Sequence, residues 1–390
     1  MRSLIGRSFD AVALQEQHKK RRNCTGITIV SILLCCVLFY FAYHWFLNRQ
    51  FTSHSVTSTM KVQDDKMVHY RSFESGILRY GRDGASAISD KGQTVWNGSY
   101  DMATPKADTC GSSVVIADIG EKSLYVYKGS EDKGASFRVD YPIVQACVSE
   151  QGIVAVLTED ISSNTIYLYD LFTDSDKLLA EIPTNVDDGY PVSLDIAPDG
   201  SSIVVSYLCV TTGIAQSRVA FYNFSDVGKN ENCFVGAHNY NDKMISEVHF
   251  WDNDHVILFA EKGFAVWENM KQPKAVWKKS FSGEIQSAVV NDSYVGLVLK
   301  EGETESRLYL YGQDRERKLA INVDSSYDHV EMSDDEVLFY TAGSCTIYRT
   351  NGVKKYNEQF KSKISAFFPG KRHNRYFMIQ NSKVKVIRLK

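Results

Sequence analysis

The chain has 390 residues, 44% hydrophobic and 23% charged, a balance that excludes a disordered or low-complexity protein. Residues 48–390 carry 38 Lys and Arg against 45 Asp and Glu, so there is no general electrostatic case for nucleic acid, which needs a concentrated basic face. Tyr (22) and Phe (20) are abundant beside seven Pro, and aromatic residues favour strands.

Residues 1–25 read as a short basic cytoplasmic tail. Leu4, Ile5, Phe9, Val12 and Leu14 are too scattered to make it more than a loose segment. It ends in the run Lys19, Lys20, Arg21, Arg22. Residues 26–47 then hold no Asp, Glu, Lys or Arg. Twenty-two residues at about 1.5 Å each span roughly 33 Å, enough for a bilayer core of about 30 Å. A cleaved signal peptide has a shorter apolar region and a small-residue cleavage site. This segment is longer and ends in Tyr40, Phe41, Tyr43, Trp45 and Phe46, as an interfacial aromatic belt does. The expectation is one uncleaved transmembrane helix in the plasma membrane. The bases of 19–22 would stay inside and Tyr43 and Trp45 would lie at the outer surface, leaving the C-terminal domain outside. Residues 48–66, rich in Ser and Thr, read as a linker.

From residue 67 the pattern is short strands and tight turns. GILRY (76–80), ASAIS (85–89) and TVW (94–96) are separated by RDG (82–84) and DKG (90–92), which supply the positive φ of hairpins. One unit then recurs: a buried apolar strand, a turn, and an alternating strand ending in Tyr. Examples are IVAVL (153–157) with TIYLY (165–169), IVVSY (203–207) with RVAFY (218–222), and YVGLV (294–298) with RLYLY (307–311). Weaker strands follow, and leading strands such as PVSLDI (191–196), ISEVHF (245–250) and HVEM (329–332) precede. Four strands returning every few tens of residues mark the blades of a β-propeller. Residues 67–390 are therefore expected to form an all-β propeller of seven or eight four-stranded blades, eight favoured. The last unit has only three strands, and a propeller must close its ring or leave an open edge. The segment 68–73 is expected either to supply the missing strand or to open an eighth blade.

Of the eight Cys, five lie in the strand-rich region: Cys110, Cys147, Cys209, Cys233 and Cys345. No zinc spacing links them, and most sit in apolar runs, where Cys acts as a small hydrophobe; one disulfide among them stays open.

The block GYPVSLDIAPDGSSIVVSY (189–207), continuing RVAFYNFSDVG (218–228), is the most specific. With PIVQACVSEQG (142–152), GQTVW (92–96) and FP (368–369) before RYF (375–377), it resembles an uncharacterised family of single-pass, membrane-anchored β-propeller proteins of Gram-positive, mainly clostridial, bacteria. The resemblance implies a propeller outside the plasma membrane and carries no active site.

Catalytic motifs are missing from the sequence. There is no Gly-x-Ser-x-Gly, no phosphate-binding glycine loop and no HExxH. Asp252, Asn253, Asp254 and His255 fall between two strands and read as a turn before they read as metal ligands. Lys371 to Arg375 reads as a solvated loop. Trp96 reads as core rather than part of a cofactor box. No cofactor or metal is expected. The leading expectation is a binding or scaffold module for a protein or an envelope polymer, in contact with the bilayer through 26–47. The alternatives are a hydrolase or lyase with its site at the central channel, or a small-ligand sensor.

Overall fold

A computed structural model describes residues 28–46, 48–62, 68–129, 133–161, 163–173, 177–184, 189–211, 214–228, 232–241, 243–302 and 305–390. The chain divides into two compact units, Met1–Gln50 and Phe51–Lys390. In the first, one helix, α1 (Thr28–Phe46), runs for 19 mostly apolar residues with no Asp, Glu, Lys or Arg, about 28 Å. None of its hydrophobic side chains is buried.

The second unit is an all-β propeller of eight four-stranded blades. Blade 1 spans residues 69–99, and blades 2 to 7 span 105–138, 143–184, 190–240, 245–280, 285–324 and 329–359. Blade 8 takes three strands from 366–389 and its outermost from β1 (His54–Lys61). All strands pair antiparallel with their neighbours in chain order, except that β1 lies against the last strand, Lys383–Leu389. The first strand of each blade is innermost, and these inner strands neighbour one another around the ring.

The segment 48–66 was expected to be a linker, and it is not one. Its residues 54–61 close the ring. The sequence His54-Ser-Val-Thr-Ser-Thr-Met-Lys61 buries little because an outer strand meets the core on one face at most. Its Ser and Thr therefore look like those of a stalk. The segment 68–73 contains the inner strand of blade 1, His69–Phe73. Closure is reinforced beside β1. The Phe51 amide donates to the Lys355 carbonyl at 2.8 Å, and the Lys390 amide to the Ser53 carbonyl at 2.8 Å. Phe51 itself is buried among Tyr356, Ile364 and Leu389.

The core is eight interblade clusters, all within 51–390. Each second strand is almost wholly buried, as in Ser113–Asp118 and Glu336–Tyr340. Every described strand and every core cluster lies inside this unit, so it carries a complete core of its own. In six blades the pairing of third and fourth strands slips by one residue beside the end of the third, at Tyr169, Tyr222, Trp267, Tyr311, Tyr348 and Ile88. The extra residue of each bulge lies on the fourth strand, at Leu179, Val235, Val276, Lys318, Lys355 and Val95. A bulge re-aims a side chain, and in five of these blades it stands beside an aromatic of the third strand. Trp96 is core, its ring centroid 4.2 Å from that of Tyr127. The five propeller cysteines are all free.

Candidate functional site

The inner strands place chemistry by register. In every blade the third residue of the second strand pairs with one inner-strand residue. Around the ring these are Arg71, Asp108, Cys147, Asp195, His249, Val289, Glu331 and Phe368. A strand repeats every two residues, so a second ring lies two positions away in blade 1 and at the equivalent place in the others. It holds His69, Lys106, Gln145, Ser193, Glu247, Ser287, His329 and Ala366. In blades 3 to 6 a bulge falls beside this second ring. Three of the nine histidines of the chain stand in these two rings. Blades 1 to 5 enclose a cavity of about 460 Å³ on this side, lined by Arg71, Asp108, Gln145, Asp195, Glu247 and His249 among others.

Part of this polarity joins the blades. An inner strand has one unpaired edge, whose amides need acceptors. Asp108 accepts from the Val148 amide of the next blade at 3.1 Å. Gln145 both donates to the Leu194 carbonyl (2.8 Å) and accepts from its amide (3.1 Å). Ser193 accepts from the Val248 amide at 3.1 Å, and Asp195 from the Phe250 amide at 2.7 Å. Arg71 donates to the Ala107 carbonyl at 2.8 Å and pairs with Asp108 at 3.2 Å. Blades 1 to 5 are thus stitched side chain to backbone.

The rest exceeds what joining requires. His249 Nδ1 lies 3.3 Å from Asp195, and these side chains keep contact with water, 44% and 18% exposed. Enclosure opposes charge on His249, but the hydrogen bond and charge of Asp195, with Glu247 and Asp108, outweigh it and raise its pKa. Burial pushes the Glu331 carboxyl up to about 7 against the opposing pull of Arg71. Glu247 is raised by burial too, with His249 opposing. The two channel thiols are poor nucleophiles. Burial pushes Cys110 up to about 12 and Cys147 well above its ordinary value, with nearby Asp108 and Asp195 adding to both. A thiol so raised stays protonated at neutral pH.

A second polar cluster sits on the turns of blades 7, 8 and 1, around a cavity of about 610 Å³. Asp335, Glu336 and His373 bring ligating atoms within 4.8 Å of one another. The Lys355 ammonium already occupies this place. It is fully buried and donates to Glu336 and to the His373 carbonyl, while the Tyr376 hydroxyl donates to the other Glu336 oxygen. The cluster carries its own cation and reads as a blade-to-blade lock. The run 371–375 is therefore only partly a solvated loop, because His373 is drawn into this lock. The Asp252 turn is as expected: its carboxylate accepts from the amides of Asp254 and His255, each at 2.8 Å.

Of the residues singled out by the sequence, Tyr43 and Trp45 lie on α1 and are exposed, at 54% and 68%. Lys19, Lys20, Arg21 and Arg22 fall outside the described residues. None of the ring residues was singled out from sequence as a site residue; Cys147 was read only as a small hydrophobe. The signal was present in the leading strands. SLDI (193–196), EVHF (247–250) and VEM (330–332) each place an ionisable residue just before their last apolar residue.

A family model described as "Family of unknown function (DUF5711)" matches residues 47–389. No curated protein gives a significant match. Among solved structures, BamB from Moraxella catarrhalis superposes with a TM-score of 0.53 at 12% identity, covering 86% of this chain and 100% of that one. Sqt1 from Saccharomyces cerevisiae superposes with a TM-score of 0.54 at 11% identity, covering 88% and 99%. At such identity the likeness is one of fold.

Proposed function

The chain belongs to the DUF5711 family of unknown function, and we propose that it is a membrane-anchored binding propeller that takes a protein or envelope polymer at its channel. The observation that carries this reading is the ring of Arg71, Asp108, Asp195, His249 and Glu331, ionisable side chains at one register in five of eight blades. Closing the ring uses Asp108 and Asp195. It leaves His249 and Glu331, with Glu247 one layer away, to meet something that enters, together with Arg71, which joins blades 1 and 2 but keeps its side chain 46% exposed. Convergent polar groups at the mouth of a β structure are the usual form of a binding site. Binding is favoured over catalysis because both channel thiols are held protonated and Asp108 and Asp195 are committed to backbone amides.

The anchor in this reading is the 26–47 segment, whose helix is long and apolar enough to cross a bilayer. With Lys19 to Arg22 before it, the bias of basic residues toward the cytoplasm puts the propeller outside. Protease added to intact protoplasts should degrade the propeller; full protection until lysis would reverse the orientation. The binding claim is tested with the full chain in its membrane. Chemical crosslinking should trap a discrete species with wild type. The triple variant Arg71→Ala, His249→Ala, Glu331→Gln should lose it while keeping a cooperative melt. An unchanged crosslink pattern in that variant would refute the channel as the site.

A further inference from the structure

A separate cavity opens at the edge of blade 5, facing blade 4. It measures about 300 Å³, at the small end of the roughly 300–1,000 Å³ of ligand sites. Tyr240, Ile245, Leu258 and Phe264 are buried and form its floor. The Tyr240 ring is fixed there, because the Trp267 indole N–H donates to its hydroxyl at 3.0 Å. Met244, 44% exposed, carries the apolar wall out to the surface.

The mouth is basic. Lys243, Lys262, Lys278 and Lys279 line it against a single carboxylate, Glu261. All four ammonium-bearing side chains are exposed. This gathering runs against the charge of residues 48–390, where acids outnumber bases. The charge of Lys278 is directed toward blade 4: after burial, it is the influence that lowers the pKa of His238 there.

We propose that this cleft binds a medium-chain fatty-acid anion, its alkyl chain on the aromatic and aliphatic floor and its carboxylate among the lysines. The volume suits one narrow chain and excludes a folded partner. Lys243, Lys262 and Lys278 at the rim disfavour a cationic head and offer an uncharged one nothing; the Lys279 ammonium lies instead over the Tyr311 ring, 6.0 Å from its centroid. The apolar floor makes binding depend on chain length, about fourfold per buried methylene. The exposed rim makes it depend on salt. This inference is independent of the channel reading, since the two cavities share no residue.

Because residues 51–390 hold their own core, the isolated propeller can be titrated without detergent. Decanoate, decylammonium and decyl maltoside would be compared by calorimetry at low salt. Decanoate should bind saturably at one site. Octanoate, two methylenes shorter, should bind about sixteenfold more weakly, and both other head groups at least tenfold more weakly. Lys262→Glu with Lys278→Glu, both on the surface and harmless to the core, should weaken decanoate at least tenfold. Ala260→Phe should fill the cleft and remove binding, with the melt as a check on folding. Equal binding of all three head groups, no effect of the lysine reversals, or preference for an acidic peptide over decanoate would each overturn the proposal.

Discussion

Glu331 shows how a single residue ties site to stability. Its carboxyl titrates near 7 in the fold against an ordinary 4.5. The folded state therefore holds a proton that the unfolded chain has released. Stability is unaffected below about pH 4.5, falls as pH rises toward 7, and is constant above. Allowing for water in the channel, the loss is about 1–2 kcal/mol. Glu331→Gln should raise the melting temperature at pH 8 by on the order of 2–4 °C and leave it unchanged at pH 4. A variant melting below wild type at pH 8 would mean that the carboxylate is stabilised rather than strained. Asp195 contributes through a fixed hydrogen bond, accepting from the Phe250 amide. Asp195→Ala strands the Phe250 amide and should cost about 1–3 kcal/mol in chemical denaturation, whereas Asp195→Asn, which keeps an acceptor, should cost less. At Gly98 and Gly134 the limit is space. A Cβ at either would run into the Tyr125 ring, which is 5% exposed. Gly134→Ala should destabilise by about 1–3 kcal/mol, as overpacking does. None of these roles could be read from sequence alone. A polar residue in an inner strand looks the same whether it faces solvent or a neighbouring blade's amide, and register settles which.

Among elements, the second and third strands were legible and the outer ones were not. A buried strand must be apolar throughout and a half-buried one must alternate, so IVAVL followed by TIYLY announces itself. Six of the eight blades carry a bulge in their fourth strand opposite the end of the third, five of them beside an aromatic, and the return of that aromatic gives the repeat its period in the sequence. Strand β1 lacks both signals. It meets the core on one side only, and its partner lies over 300 residues away. Its role makes a sharp prediction. Deleting residues 54–61 exposes the Lys383–Leu389 edge, where Val384, Val386, Ile387 and Leu389 are buried and Lys383, Lys385 and Arg388 blunt the edge only in part. The truncated propeller should associate or lose its cooperative melt in size-exclusion and calorimetric runs. A monomeric, cooperatively melting product would show that three strands suffice to close the ring.

At the scale of the whole molecule, the eight-blade count follows from closure. Six complete blades over 105–359, with an opening blade before them and three strands after them, leave one strand wanting, and β1 supplies it. The ring in turn decides what the molecule can present. Side chains scattered over some 260 residues of sequence, from Arg71 to Glu331, come to one level of one channel because each blade repeats the same register. Function in such a fold is spread thinly, one residue per blade, and therefore leaves no compact motif. The most direct measurement places a photo-crosslinking amino acid at Val289, on the channel ring but carrying no charge, and for comparison at Val95, 66% exposed on an outer strand. In the full chain in its native membrane, the account predicts a discrete adduct from 289, absent from 95, and lost when Arg71, His249 and Glu331 are neutralised together. An adduct from 95 with none from 289, or one from 289 that survives neutralisation, would contradict it.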